Sequence, residues 1–254
     1  MTESEWQECI DPGQMLAYLG DRAGARKKRL FACACIRRVW PLLTEKRLRR
    51  AVRLAECFAN GQASEQHLEQ ALPLVDQLCE EFLAAAKRRA SWKARALHAA
   101  ALAVQGVLVV KEPRLERPRD VREPPDVVTA TRIARTAARA AEARREERRG
   151  MASSAPADSP RGLEALDAVE LVREIFGNPF RPVQVDPHWL AWNENTVAQM
   201  ARTIYDKRRF GDLPMLADAL EEAGCDNADI LNHCRAPRGH VRGCWVVDDL
   251  LGMK

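Results

Sequence analysis

The sequence predicts an all-α fold, an irregular multi-helix array with a small helical carboxy-terminal module. Apolar residues recur at the three- and four-residue spacing of a single buried helix face along most of the chain. Helix start and stop signals punctuate that pattern. Period-two alternation is confined to residues 183–185 and 241–247, both too short to carry a sheet.

Taken in order, Asp11 caps a first helix with Pro12 at its opening position, and Met15, Leu16 and Leu19 follow up to Gly20. A second helix is expected from about Arg22 to Trp40, ended by Pro41. Thr44 then caps a helix whose Leu48, Ala51, Val52, Ala55, Phe58 and Ala59 share one side, and Asn60-Gly61 stops it. Ser64 opens another, expected to be disturbed at Pro73 and to resume through Leu78 and Phe82. An alanine-rich helix is expected over 91–110, suited to close helix–helix contact.

Residues 111–127 carry Pro113, Pro118, Pro124 and Pro125 among alternating charges and read as a loop. An Ala/Arg/Glu helix is expected over 128–149. The segment 150–162, GMASSAPADSPRG, reads as a flexible connection. The expected organisation is therefore a helical domain over 1–110, a variable middle over 111–162 and a compact helical module over 163–254. Within that module, Leu163, Leu166, Val169, Val172 and Phe176 mark a helix stopped by Gly-Asn-Pro, and an extended run is expected through Asp186-Pro187. Helices are expected at 195–208, at 213–223 (ended by Gly224), at 227–235 (capped by Asp226) and at 246–251.

Composition sets the broad class. A hydrophobic fraction of 46% with 30% charged residues is that of a globular protein, and no stretch approaches the roughly 20 apolar residues of a membrane span. The amino terminus is acidic and polar, unlike a secretory signal. Eight cysteines in 254 residues are too sparse for a disulfide scaffold and are expected to stay reduced, which fits a cytoplasmic location.

Charge distribution says more than the net +4. Between Arg22 and Arg53 lie twelve basic residues and one carboxylate, Glu45. Lys46, Arg49, Arg50 and Arg53 fall opposite the apolar stripe of their helix, a basic face able to neutralise phosphates or an acidic protein partner. The structural alternative is a solvated face balanced by Glu65, Glu69, Glu80 and Glu81. No nucleic-acid reading motif accompanies it.

The carboxy-terminal module gathers Cys225, His233, Cys234, His240 and Cys244. Thiolates and imidazoles are zinc's preferred ligands, and four of these could form a tetrahedral site, although no C-x-x-C pair is present. The same residues could supply a cysteine nucleophile, Cys244 with His240 or His233 and Asp248 as orienting group. The plain alternative is core packing. Cys33 and Cys35, two apart on a helix, point to nearly opposite sides. His67 and His98 stand alone on helices, and His188 sits beside Trp189 and Trp192 in the extended run. Gly-rich phosphate loops, G-x-S-x-G and H-E-x-x-H are absent.

The segments RLFACACIRRVW and IFGNPFRPV, together with ADALEEAGC and HVRGCWVVDDLLG near the end, resemble a family of bacterial proteins that share this tail while their middles differ. The resemblance covers roughly the first 60 residues and nearly everything after Leu171. Arg238 stands where a helix-breaking glycine is expected. The resemblance implies no activity, cofactor or catalytic residue. The expected role is that of a non-enzymatic helical interaction module with no cofactor required, zinc being the alternative.

Overall fold

In the computed structural model, residues 1–38, 40, 43–89, 92–109, 160–237 and 239–253 are described. The loop, Ala/Arg/Glu helix and most of the connection expected over 111–162 lie outside them, as does Arg238. All regular structure among the described residues is helical, and none of these helices is long and apolar enough to cross a membrane. The chain divides into two units, Met1–Val172 and Arg173–Lys254.

The first unit begins with α1 (Glu3–Glu8), where Thr2 and Glu5 form a reciprocal capping box. Helix α2 (Pro12–Leu19) starts on the Asp11 cap as its sequence requires. The next helix begins later than the expected Arg22. Residues Gly20–Ala23 form a 3-10 turn, and Gly24, at φ +59°, separates it from α3 (Ala25–Arg38). Helix α4 (Lys46–Ala59) is capped by Glu45 rather than Thr44, because the longer carboxylate reaches the Arg47 N–H. Its stripe Leu48, Ala51, Val52 and Ala55 is buried, each leucine-sized side chain contributing about 1.5–3 kcal/mol.

Helix α5 (Glu65–Arg89) runs through Pro73 without interruption. A proline inside a helix strips one hydrogen bond from the carbonyl four residues earlier. Here both Glu69 and Pro73 are exposed, so water can serve that carbonyl, while Leu68, Val75 and Leu78 hold the helix to the core. Against α5 packs α6 (Trp92–Leu108), linked to it by Gln105 donating to Asp76 at 2.8 Å. Arg29 of α3 donates to the carbonyls of Val107 and Val109, satisfying acceptors that a helix end leaves open.

Helix α7 (Pro160–Phe176) contributes its last turn to the second unit. Gly177, at φ +66°, stops it. The extended run expected to hold His188, Trp189 and Trp192 ends before them. Asp186 accepts from the His188 N–H and, with Pro187 following, starts α8 (Pro187–Lys207). His188 and Trp189 therefore lie on a helix. Trp192 begins a break in α8 in which Asn193, Glu194 and Asn195 take positive φ, and the helix resumes beyond it with Val197, Ala201 and Ile204 buried. A 3-10 turn (Phe210–Asp212) leads into α9 (Leu213–Glu222). Asn227, not Asp226, caps α10 (Ala228–Arg235), accepting from the N–H groups of Asp229 and Ile230. Helix α11 (Trp245–Leu250) closes the chain. The core of this unit joins α8, α9, α10 and α11 through Ile204, Leu216, Leu220, Ile230, Val246 and Val247.

Candidate metal centre

Three local devices bring four side chains of the second unit together. The last turn of α7 carries Glu174, three residues beyond buried Leu171 and so on the helix's apolar side. The Asn227 cap fixes the register of α10, which turns His233 inward along with Ile230. A turn held by the Cys244 N–H donating to Val241 O at 3.0 Å, with Gly243 at φ +91°, places His240 and Cys244 beside them.

One ligand atom from each of Glu174, His233, His240 and Cys244 lies within 4.8 Å of the other three. His240 Nδ1 faces both Glu174 oxygens at 3.0 and 3.1 Å. His233 Nε2 lies 3.1 Å from Cys244 Sγ and 3.4 Å from Glu174 Oε2. The side chains of Glu174, His233 and His240 are only 3%, 4% and 4% exposed, and Cys244 is fully buried.

Hydrogen bonding assigns the protons. The indole N–H of Trp245 donates to His233 Nδ1 at 2.9 Å. Indole nitrogen only donates, so Nδ1 is an acceptor and the His233 proton sits on Nε2, facing the cluster. His240 carries its proton on Nδ1, facing the carboxylate, while its Nε2 is buried with no hydrogen-bond partner. The Cys244 thiol, pushed well above its usual 9.0 by burial and then by the nearby Glu174 charge, keeps its hydrogen and also bonds to Glu174. His240 and the Cys244 thiol thus bond to one buried carboxylate, with His233 Nε2 set between that carboxylate and the Cys244 sulfur.

A tetrahedral zinc site with metal–ligand distances of roughly 2.0–2.3 Å separates its donor atoms by about 3.3–3.8 Å. The closest pairs here lie 3.0–3.4 Å apart and all four atoms fall within 4.8 Å of one another, so small side-chain shifts would bring them to that spacing. Charge favours the exchange as well. Without a cation the cluster holds one buried carboxylate charge, which is costly to desolvate. A divalent ion binding that carboxylate and a Cys244 thiolate brings the sum to zero. The donor set of one sulfur, two imidazole nitrogens and one carboxylate suits zinc.

Of the residues marked by the sequence, His233, His240 and Cys244 come together, whereas Cys225 and Cys234 stand outside the group of four. Both are buried, and the Cys234 thiol is pushed up to about 12, first by burial and then by Glu174. Glu174 was not among the expected ligands. A carboxylate at an apolar position of a helix face is the signal that points to it. Asp248, on the turn after Cys244, is buried, and its N–H donates to Cys244 O at 2.9 Å.

A cysteine nucleophile needs an accessible thiol with a lowered pKa, and Cys244 offers the reverse on both counts. His67 serves α5 instead, its Nδ1 held by the Ser64 N–H at 3.1 Å in the manner of a capping box. Lys46, Arg50 and Arg53 are exposed on α4, and Arg49 is half-buried. No protein-family model, curated protein or solved structure matches the chain.

Proposed function

We propose that the second unit is a zinc-organised helical module in which Glu174, His233, His240 and Cys244 hold one ion, and that its role is to bind a partner rather than to catalyse. The convergence of two imidazoles and the Cys244 thiol on the buried Glu174 carboxylate carries this reading, since a divalent cation displaces the thiol hydrogen as one proton and, with both imidazoles neutral, the thiolate and carboxylate cancel its charge. Four protein ligands with almost no exposure leave no open coordination position, and that is the pattern of a structural site. The ion would tie the end of α7 to α10 and to the start of α11, segments far apart in sequence. Free cysteines, six of them buried, fit a cytoplasmic setting.

Elemental analysis of protein purified without chelator tests this. About one zinc per chain is expected, falling to nearly none in Cys244→Ala and Glu174→Gln and staying at one in Cys234→Ala. A fully folded chain that takes up no zinc from a buffered solution would overturn the proposal.

A further inference from the structure

The first unit carries a surface of a different kind. The solvent side of α4 presents Lys46, Arg50 and Arg53, which at 1.5 Å per residue span about 10 Å along one helix. Arg49 lies beside them. Among the described residues no carboxylate pairs with any of these four cations. Two acids close by in the sequence are spent elsewhere: Glu56 is buried against Arg37, and Glu45 is bonded to Arg47 at 2.9 Å.

Trp40 arranges the patch. The guanidinium carbons of Arg37, Arg49 and Arg53 lie 4.6, 5.3 and 6.0 Å from its ring centre, and Arg49 also donates to the Trp40 carbonyl at 3.2 Å. Arginines fixed in this way lose less freedom when they meet an anion.

We infer that this α4 face binds the phosphate backbone of a nucleic acid without reading its sequence. Guanidinium groups match phosphate oxygens in pairs. A reach of about 10 Å covers roughly three successive phosphates of one strand at 3.4 Å each along the axis. An acidic protein is the weaker fit, because the core of a protein interface buries apolar side chains, and none of the large exposed hydrophobics of this chain lies on α4.

The test is fluorescence anisotropy of the full chain with a labelled 24-base-pair duplex of random sequence, titrated across salt. Binding is expected to weaken with a logarithmic salt slope of about −3 to −4, as three to four neutralised phosphates require. A second duplex of unrelated sequence should bind equally. K46E/R50E/R53E should lose at least tenfold in affinity, and K46Q/R50Q/R53Q should lose less, with circular dichroism confirming that both remain helical. Three outcomes would each overturn the inference: no binding at 50 mM salt, wild-type affinity in the triple glutamate variant, or a polyglutamate peptide that binds as tightly as the duplex.

Discussion

The indole of Trp245 donates its only hydrogen to Nδ1 of His233 across 2.9 Å, and that bond decides that the imidazole turns its N–H, not a lone pair, toward Glu174 and Cys244. In the arrangement described, Nε2 bears the proton. A metal bound at Nε2 requires the proton to move to Nδ1, which the indole N–H then opposes. Trp245→Phe removes the opposition while keeping an aromatic ring beside His233. Zinc affinity should rise about fivefold, the equivalent of one hydrogen bond's net worth of about 1 kcal/mol. Competition with a chromophoric chelator measures it. An unchanged or weaker affinity would mean that His233 binds no metal through Nε2.

Trp245 is itself held by a residue without a side chain. A Cβ built on Gly177 would lie 3.1 Å from Cγ of the Trp245 indole, and Gly177 has a φ of +66° that other residues adopt at a cost. Gly177→Ala should therefore destabilise the second unit by about 1–3 kcal/mol. It should also push the indole off His233, so that the Trp245 indole N–H resonance shifts. Gly224→Ala supplies the control: its φ is +90° but a Cβ there meets nothing within 4 Å, so strain arises without the indole shift.

Glu45 offers a pH-dependent test in the first unit. Bonds from the Arg47 side chain and N–H hold its carboxyl at about 2, below the ordinary 4.5. A carboxyl depressed on folding contributes stability that is complete above its unfolded value and lost as pH falls towards its folded value. Glu45→Ala should cost about 1 kcal/mol at pH 7, the usual worth of a helix cap. The gap between variant and wild type should narrow between pH 4.5 and pH 2. Urea melts at pH 7 and pH 3 check it.

Much of this architecture was legible in residue spacing. Leu48, Ala51, Val52 and Ala55 of the expected stripe are buried, with Phe58 and Ala59 half-buried at its end, and on α8 Val197, Ala201 and Ile204 are buried beside a half-buried Met200. What spacing missed was local hydrogen bonding: Glu45 outreaches Thr44, and Asn227 caps where Asp226 was expected. The continuity of α5 through Pro73 depends on which side of the helix faces water, and that is a tertiary property. At the candidate site, residue chemistry marked His233, His240 and Cys244. It could not separate His233 from Cys234, yet neighbours on a helix point about 100° apart, so only one of the two can face a given point. Glu174 was hidden because a lone carboxylate in an apolar run carries no motif.

Metal removal provides the broadest check on the proposed centre. The Cys244 thiol keeps its hydrogen to well above 9.0 in the absence of a cation, owing to burial and the Glu174 charge. Zinc must displace that hydrogen, because thiolate is the ligand form, and one proton leaves for each ion bound. Below the thiol pKa the apparent affinity should thus climb about tenfold per pH unit, steepest evidence coming from calorimetry at pH 6.5 and 7.5 in buffers of different ionisation enthalpy. Cys244→Ser should bind more weakly and lose the proton release. Treatment with a strong chelator should speed hydrogen exchange in α10 and α11 while leaving α3 and α4 unchanged, since the ligands all belong to the second unit. Equal protection with and without chelator would leave the cluster as hydrogen-bonded side chains around a buried carboxylate and remove zinc from the fold.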